Sequence, residues 1–174
     1  NRITHYIVRR KGKQMRPNLF ITLSILTSII SSTASAQDAD RQMAFLMAVS
    51  GNCAELVIDG EAMPCDGNLF NTDYDDGRIG FAFMAEGPGG KIITFSGRGQ
   101  EQQSPAANVR LQPIDGVVLA GGIQLVKGEC LFENPYAGPA RIECTARSSS
   151  GLQYVGRFLT DGEEPVMIEL GDES

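Results

Sequence analysis

The amino-acid sequence predicts an all-β protein: a small antiparallel β-sandwich or barrel of about eight to ten short strands, with two disulfide-closed hairpins. Three observations carry this reading. Short apolar or alternating segments are punctuated by Gly, Pro, Asn, Asp and Ser roughly every 8–12 residues. No long stretch repeats its apolar residues with the 3.6-residue period of a helix. The four cysteines fall into two close pairs, Cys53 with Cys65 and Cys130 with Cys144.

Residues 1–36 are expected to be a cleaved secretory signal peptide, and residues 37–174 a single all-β domain. Arg9, Arg10, Lys11, Lys13 and Arg16 form a basic start. Leu19 to Ile30 is a mostly apolar stretch of 12 residues, too short to span a bilayer comfortably. Ala34-Ser35-Ala36 then supplies a small-residue cleavage site before Gln37. Met15-Arg16 would serve as a start of translation, which leaves residues 1–14 open. The mature chain is expected in a bacterial periplasm or secreted, with no stable membrane anchor once the leader is removed. Six of the 15 basic residues and none of the 21 acidic ones lie in the leader, so the mature chain has nine basic residues and a net charge of −12. Such a surface repels nucleic acid and anionic lipid, and attracts a cationic protein.

Within residues 37–174, Ala44 to Ser50 is an apolar run that reads as a strand or as the start of a short helix. Cys53 to Cys65 reads as a hairpin. A three-residue loop Ile58-Asp59-Gly60 would set Val57 against Glu61 and Cys53 against Cys65. Arg78 to Ala85 and Lys91 to Ser96 flank Gly87-Pro88-Gly89-Gly90 and form a strand, turn, strand pattern rich in aromatic and β-branched residues. Ile79, Phe81 and Phe83 share one face of it and Ala82 and Met84 the other. Both faces are apolar, so this hairpin is placed centrally. Gly97 to Asn108 is polar and reads as a loop. Val109–Gln112, Val117–Ala120 and Ile123–Lys127 are three short strands separated by Asp115-Gly116 and Gly121-Gly122.

The clearest register belongs to the segment from Gly128 to Arg147. Cys130 opposite Cys144 sets Leu131 against Glu143, Phe132 against Ile142 and Glu133 against Arg141, the last as an ion pair. It leaves Pro135 to Pro139 as the loop and puts Cys130, Phe132, Ala140, Ile142 and Cys144 on one face. A Ser148–Gly151 turn, a strand from Leu152 to Leu159 and a closing strand from Val166 to Leu170 complete the chain.

Little catalytic chemistry is available. The single histidine, His5, lies in the leader, so Ser-His and Cys-His systems are excluded from the mature chain. An even cysteine count behind an export signal reads as a disulfide framework of Cys53, Cys65, Cys130 and Cys144, leaving no thiolate for zinc. No cofactor is expected. Asn71, Asp73 and Asp75 alternate like the opening of a calcium loop, but Asp76 stands where that loop needs glycine and Ala82 where it needs glutamate. An acidic turn leading into the Arg78 strand is therefore the favoured reading, and no metal site is assigned. Tyr74, Tyr136 and Tyr154 lie near loops as aromatics suited to anchoring a partner.

Ser149-Ser150-Gly151-Leu152-Gln153-Tyr154 resembles the serine-glycine-x-x-tyrosine loop of the periplasmic inhibitors of C-type lysozyme, small exported β-barrel proteins that dock loops into a cationic enzyme. The resemblance covers about six residues. It implies Ser150 and Tyr154 as binding residues. That family also uses a lysine in a later loop; the corresponding segment here, Asp161-Gly162-Glu163-Glu164, has none. Together these readings describe an exported, disulfide-stabilised β-domain with a non-catalytic binding or envelope-structural role. Inhibition of a cationic secreted enzyme such as C-type lysozyme is the alternative, and an enzyme working with carboxylates alone is the third.

Overall fold

A computed structural model describes residues 42–87 and 90–168. The expected leader and its cleavage site lie outside them. The strands are β1 (Met43–Ile58), β2 (Glu61–Ala62), β3 (Cys65–Tyr74), β4 (Arg78–Ala85), β5 (Lys91–Arg98), β6 (Gln103–Ala106), β7 (Val109–Leu119), β8 (Gly122–Glu133), β9 (Arg141–Ser148), β10 (Gln153–Thr160) and β11 (Val166–Ile168). Two single 3-10 turns, Gly99–Glu101 and Pro135–Ala137, are the only helical pieces among the described residues.

The architecture is a barrel. β1, β3, β4, β5, β7, β8, β9 and β10 pair in that order, each antiparallel to the next, and β10 returns to pair with β1. The eight strands thus form a closed up-and-down barrel, which leaves no long open edge. The 16 residues of β1 make this possible. Its first half pairs with β3 from Met43↔Tyr74 to Ser50↔Asn68, and its second half pairs with β10 from Gly51↔Thr160 to Val57↔Val155. A bulge at Ala54 bends the strand across the seam. Glu55 and Arg157 are directly opposed there and form an ion pair on the outside of the closing ladder.

Side chains alternate in and out along each strand. The inward set fills the barrel: Leu56, Leu69, Phe81, Phe83, Ile93, Phe95, Ile114, Val117, Ile142, Tyr154 and Phe158 are all buried. Phe83 packs edge-on against Phe95 with ring centres 5.7 Å apart, and Phe81 meets Phe132 at 4.9 Å. Phe83 also reaches across to β10. A Cβ at Gly156 would lie 2.6 Å from that ring, so the glycine is the space the ring occupies.

The hairpin of β8 and β9 has the expected register, with Cys130↔Cys144, Leu131↔Glu143 and Phe132↔Ile142. Its disulfide lies inside the barrel with both cysteines fully buried. Glu133 meets Arg141 differently from expectation. Its Oε2 accepts from the Arg141 backbone N–H at 2.9 Å, and among the described residues the two side chains form no ion pair. A strand-end carboxylate gains more from an otherwise orphaned N–H than from a solvated guanidinium.

The Cys53–Cys65 bridge also forms, but not within a simple hairpin. The loop is the two-residue turn Asp59-Gly60, with φ of 56° and 85°, so Val57 faces Ala62 instead of Glu61. Asp-Gly satisfies the two left-handed positions of a type I′ turn, whose twist suits the flanking strands. The cysteines belong to another ladder: the β1–β3 register, Met47↔Asn71 and Ser50↔Asn68, carries on to set Cys53 beside Cys65. Both bridges therefore join neighbouring strands.

Three expected short strands are two long ones. β7 runs through Pro113 and β8 from Gly122 to Glu133, and the ladder between them shifts by one where Val126 and Lys127 of β8 lie opposite the single residue Asp115 of β7. Asp115 faces outward opposite this bulge and meets Arg78, whose Nη1 donates to Asp115 Oδ2 at 3.2 Å and whose Nε donates to Ser96 Oγ at 3.2 Å. The β5–β7 ladder stops at Ser96↔Gly116, and beyond it Gln112, fully buried, links the two strands by donating from Nε2 to the Arg98 and Pro113 carbonyls at 2.9 and 2.8 Å. The polar stretch 97–108 contains a 3-10 turn and β6. Leu170, the expected end of the last strand, lies outside the described residues.

Two stability measurements check this packing. Phe83→Ala should cost about 3–5 kcal/mol in denaturant unfolding; a loss below about 1 kcal/mol would put the ring at the surface. Replacing Cys130 and Cys144 together by alanine should cost roughly 2–4 kcal/mol, and an unchanged midpoint would mean that the buried bridge does not hold the barrel.

Candidate functional site

The barrel has two rims. One carries the turn between β3 and β4, the Pro135–Ala137 turn and β11; it is the Tyr136 rim. The other carries the Asp59-Gly60 turn and the turn between β9 and β10; it is the Ser150 rim.

At the Tyr136 rim, the acidic segment is a strand end and a tight turn. Asn71 and Asp73 lie within β3, and Asn71 Nδ2 donates to the Gly80 carbonyl at 3.0 Å. The Gly77 N–H closes the turn on the Tyr74 carbonyl at 2.9 Å, and Asp76 Oδ1 accepts from the Arg78 N–H. The alternate spacing of Asn71, Asp73 and Asp75 thus belongs to a strand running into an Asp-Asp-Gly turn, not to a loop that wraps an ion. Among the described residues, no group of three or more His, Cys, Asp or Glu is placed to hold a metal. Tyr136 is 56% exposed, and its hydroxyl reaches Met47 Sδ at 3.6 Å and Met167 Sδ at 3.7 Å. Beneath it, a cavity of about 50 Å³ is lined by Met47, Leu69, Asn71, Phe81, Phe132 and Ile142.

At the Ser150 rim the turn is held by its own hydroxyls. Gly151 N–H donates to the Ser148 carbonyl at 3.0 Å, Leu152 N–H donates to Ser148 Oγ at 3.1 Å, and Ser148 Oγ lies 2.8 Å from Ser150 Oγ. Ser149, Ser150, Gly151 and Leu152 are exposed on this fixed frame. Tyr154 does not join them. It points into the barrel, is fully buried, and donates its hydroxyl to Asp59 Oδ1. The Gly60 N–H bonds the Gln153 carbonyl at 2.9 Å, so the β1–β2 turn is tied to the start of β10 twice. The ring expected to anchor a partner is therefore a structural plug. Its place follows from β10, in which Tyr154, Gly156 and Phe158 share the inward face.

The outer wall below this turn carries residues that the sequence reading passed over. Lys127 on β8 stands directly opposite Arg147 on β9, and Gln153 follows Arg147 across β10. Leu125, two residues before Lys127 on the same outward face, is 75% exposed. Arg147 Nη1 also reaches the Gly151 carbonyl at 3.4 Å, linking this wall to the turn. The signal was present: the register that pairs Cys130 with Cys144, continued three residues, pairs Lys127 with Arg147.

Comparison with known protein families, with curated proteins and with solved structures gave no match.

Burial pushes the Tyr154 hydroxyl up to about 12, and the hydrogen bond to Asp59 pushes the same way. Because the folded value lies above the unfolded one of about 10, this group's contribution to stability is complete below pH ~10 and fades as pH rises toward ~12. Ultraviolet titration should show one tyrosine ionising about two pH units after the ordinary range, and Tyr154→Phe should remove that late step. A Tyr154 that ionises at the ordinary value of about 10 would refute its burial.

Proposed function

We propose that this chain is an exported, non-catalytic binding module that meets its partner with the outside of its barrel. One observation carries the reading: the interior is filled. Phe83, Phe95, Tyr154 and the Cys130–Cys144 bridge occupy the lumen. The cavity left inside, about 50 Å³, accommodates water but falls well short of the roughly 300–1,000 Å³ of a small-molecule pocket, and the larger hollows of about 300, 510 and 530 Å³ lie open on the rim and outer wall. Recognition then falls to walls and turns. Two disulfides suit an oxidising compartment outside the cytoplasm, and the order of basic start, apolar stretch and Ala34-Ser35-Ala36 supports export to a periplasm or beyond.

Inhibition of a cationic secreted enzyme such as C-type lysozyme is a second reading, favoured by the hydroxyl-braced Ser149–Leu152 turn at the end of a closed barrel. Docking surfaces held rigid before contact lose less entropy on binding.

Protein recovered from the envelope fraction should begin at or near Gln37 and should show the mass of the polypeptide alone in native mass spectrometry. Retention of Met15 on a membrane-bound form would overturn the export reading, and a stoichiometric small molecule would overturn the filled barrel. Added to lysozyme acting on a cell-wall suspension, the same protein should slow clearing under the second reading. Unchanged clearing at a molar excess would discard it.

A further inference from the structure

Resting on the reading that partners are met by the outer wall, we infer that the outer face of β8 and β9 beside the Ser149–Leu152 turn docks an acidic protein segment that also carries apolar side chains. The mature chain has only nine basic residues against 21 acidic ones, and two of the nine, Lys127 and Arg147, are set face to face on adjacent strands. Like charges directly opposed destabilise a sheet. Arg78 has Asp115 and Arg157 has Glu55, whereas Lys127 and Arg147 have no ion-pair partner among the described residues. Both are exposed. The sheet therefore holds a facing pair of cations that form no ion pair of their own, with Glu129 further along the same face, and a carboxylate from outside would bridge them.

The second observation is apolar. Ile123 and Leu125 precede Lys127 on the same outward face of β8 and are 42% and 75% exposed. Ile123 rests over Gly116 of β7, its Cγ2 lying 3.1 Å from where a Cβ would stand. A hollow of about 510 Å³ lined by Leu125, Lys127, Arg147 and Ser149 joins the aliphatic and cationic parts. An extended segment carrying a carboxylate and an apolar side chain in alternation fits this order.

Charge also selects the kind of partner. A body of net charge −12 is repelled by an anionic bilayer, and two cations return only about 1 kcal/mol each at such a surface. A narrow acidic segment brings its carboxylates to the pair, while repulsion from acidic groups farther off than a screening length of about 8–10 Å is damped.

The test uses a fluorescent peptide alternating glutamate with leucine, and separately phosphatidylcholine vesicles containing phosphatidylserine. The wild-type chain should bind the peptide saturably and less tightly as salt rises. Combined Lys127→Glu and Arg147→Glu should weaken binding at least about tenfold, Leu125→Ser should weaken it a few-fold, and Lys91→Glu, at an exposed cation on β5, should leave it unchanged. Lys127→Glu alone should raise the thermal midpoint of the free protein, because opposite charges then face each other, while lowering peptide affinity. No peptide binding, binding that survives the double reversal, a lowered midpoint, or reversal-sensitive binding to the vesicles but not to the peptide would overturn the inference. Export and the filled barrel are judged by N-terminus and mass, so a failure here leaves them standing.

Discussion

The width of an eight-stranded barrel governs the rest of this structure. Eight strands enclose a lumen that side chains can just fill. Here Phe83 reaches from β4 across to Gly156 of β10, where even a methyl group would collide with the ring. That contact couples strands that are distant in sequence, and it works only if the barrel is closed. Closure in turn requires β1 to serve two partners, which explains its length and the bulge at Ala54. The same filling leaves little room inside for a ligand, which is why recognition is proposed on the exterior. Tyr154 illustrates the exchange: a residue beside an exposed turn is spent on plugging the barrel, with Asp59 satisfying its hydroxyl.

Local pairing was legible in the sequence; closure was not. The Cys130/Cys144 register, the β4–β5 hairpin and the burial of Phe81 and Phe83 follow from alternation and turn residues, which act over a few positions. The β1–β10 seam has no such signature, because two strands about a hundred residues apart leave no shared local pattern. The Asp59-Gly60 turn was read one residue too long, since both lengths place the cysteines near each other. Asp115-Gly116 looked like a strand break and lies inside β7, because the irregularity there is one extra residue in β8, Val126 and Lys127 facing Asp115, which bends the ladder without ending it. For the candidate site, exposure of the Ser149 turn was legible, the inward turn of Tyr154 was readable from strand parity, and the cation pair was readable from the cysteine register.

The electrostatic layout of the wall is uneven in an informative way. Arg78 is 14% exposed, and its hydrogen bond to Asp115 raises its pKa, so it is a fixed structural charge. Arg157 and Glu55 reinforce the seam. These cations are used for construction. Lys127 and Arg147 are not, and they lie beside the most exposed aliphatic side chain named above. With the docking proposed for this wall, stability and recognition draw on different members of a small set of basic residues.

The order in which strands meet bears on how the chain matures. Every barrel strand but one pairs with its sequence neighbour as soon as both have emerged, and each disulfide spans only 12 or 14 residues. β1 is the exception. From Gly51 to Val57 its ladder to β10 waits for a strand that ends at Thr160. During N-to-C emergence the first strand made is thus the last to be fully paired, an interval in which it presents a free edge to any neighbouring chain. The window for misassembly is set by the time the rest of the chain takes to emerge, and Cys53 is the one cysteine placed within that waiting stretch.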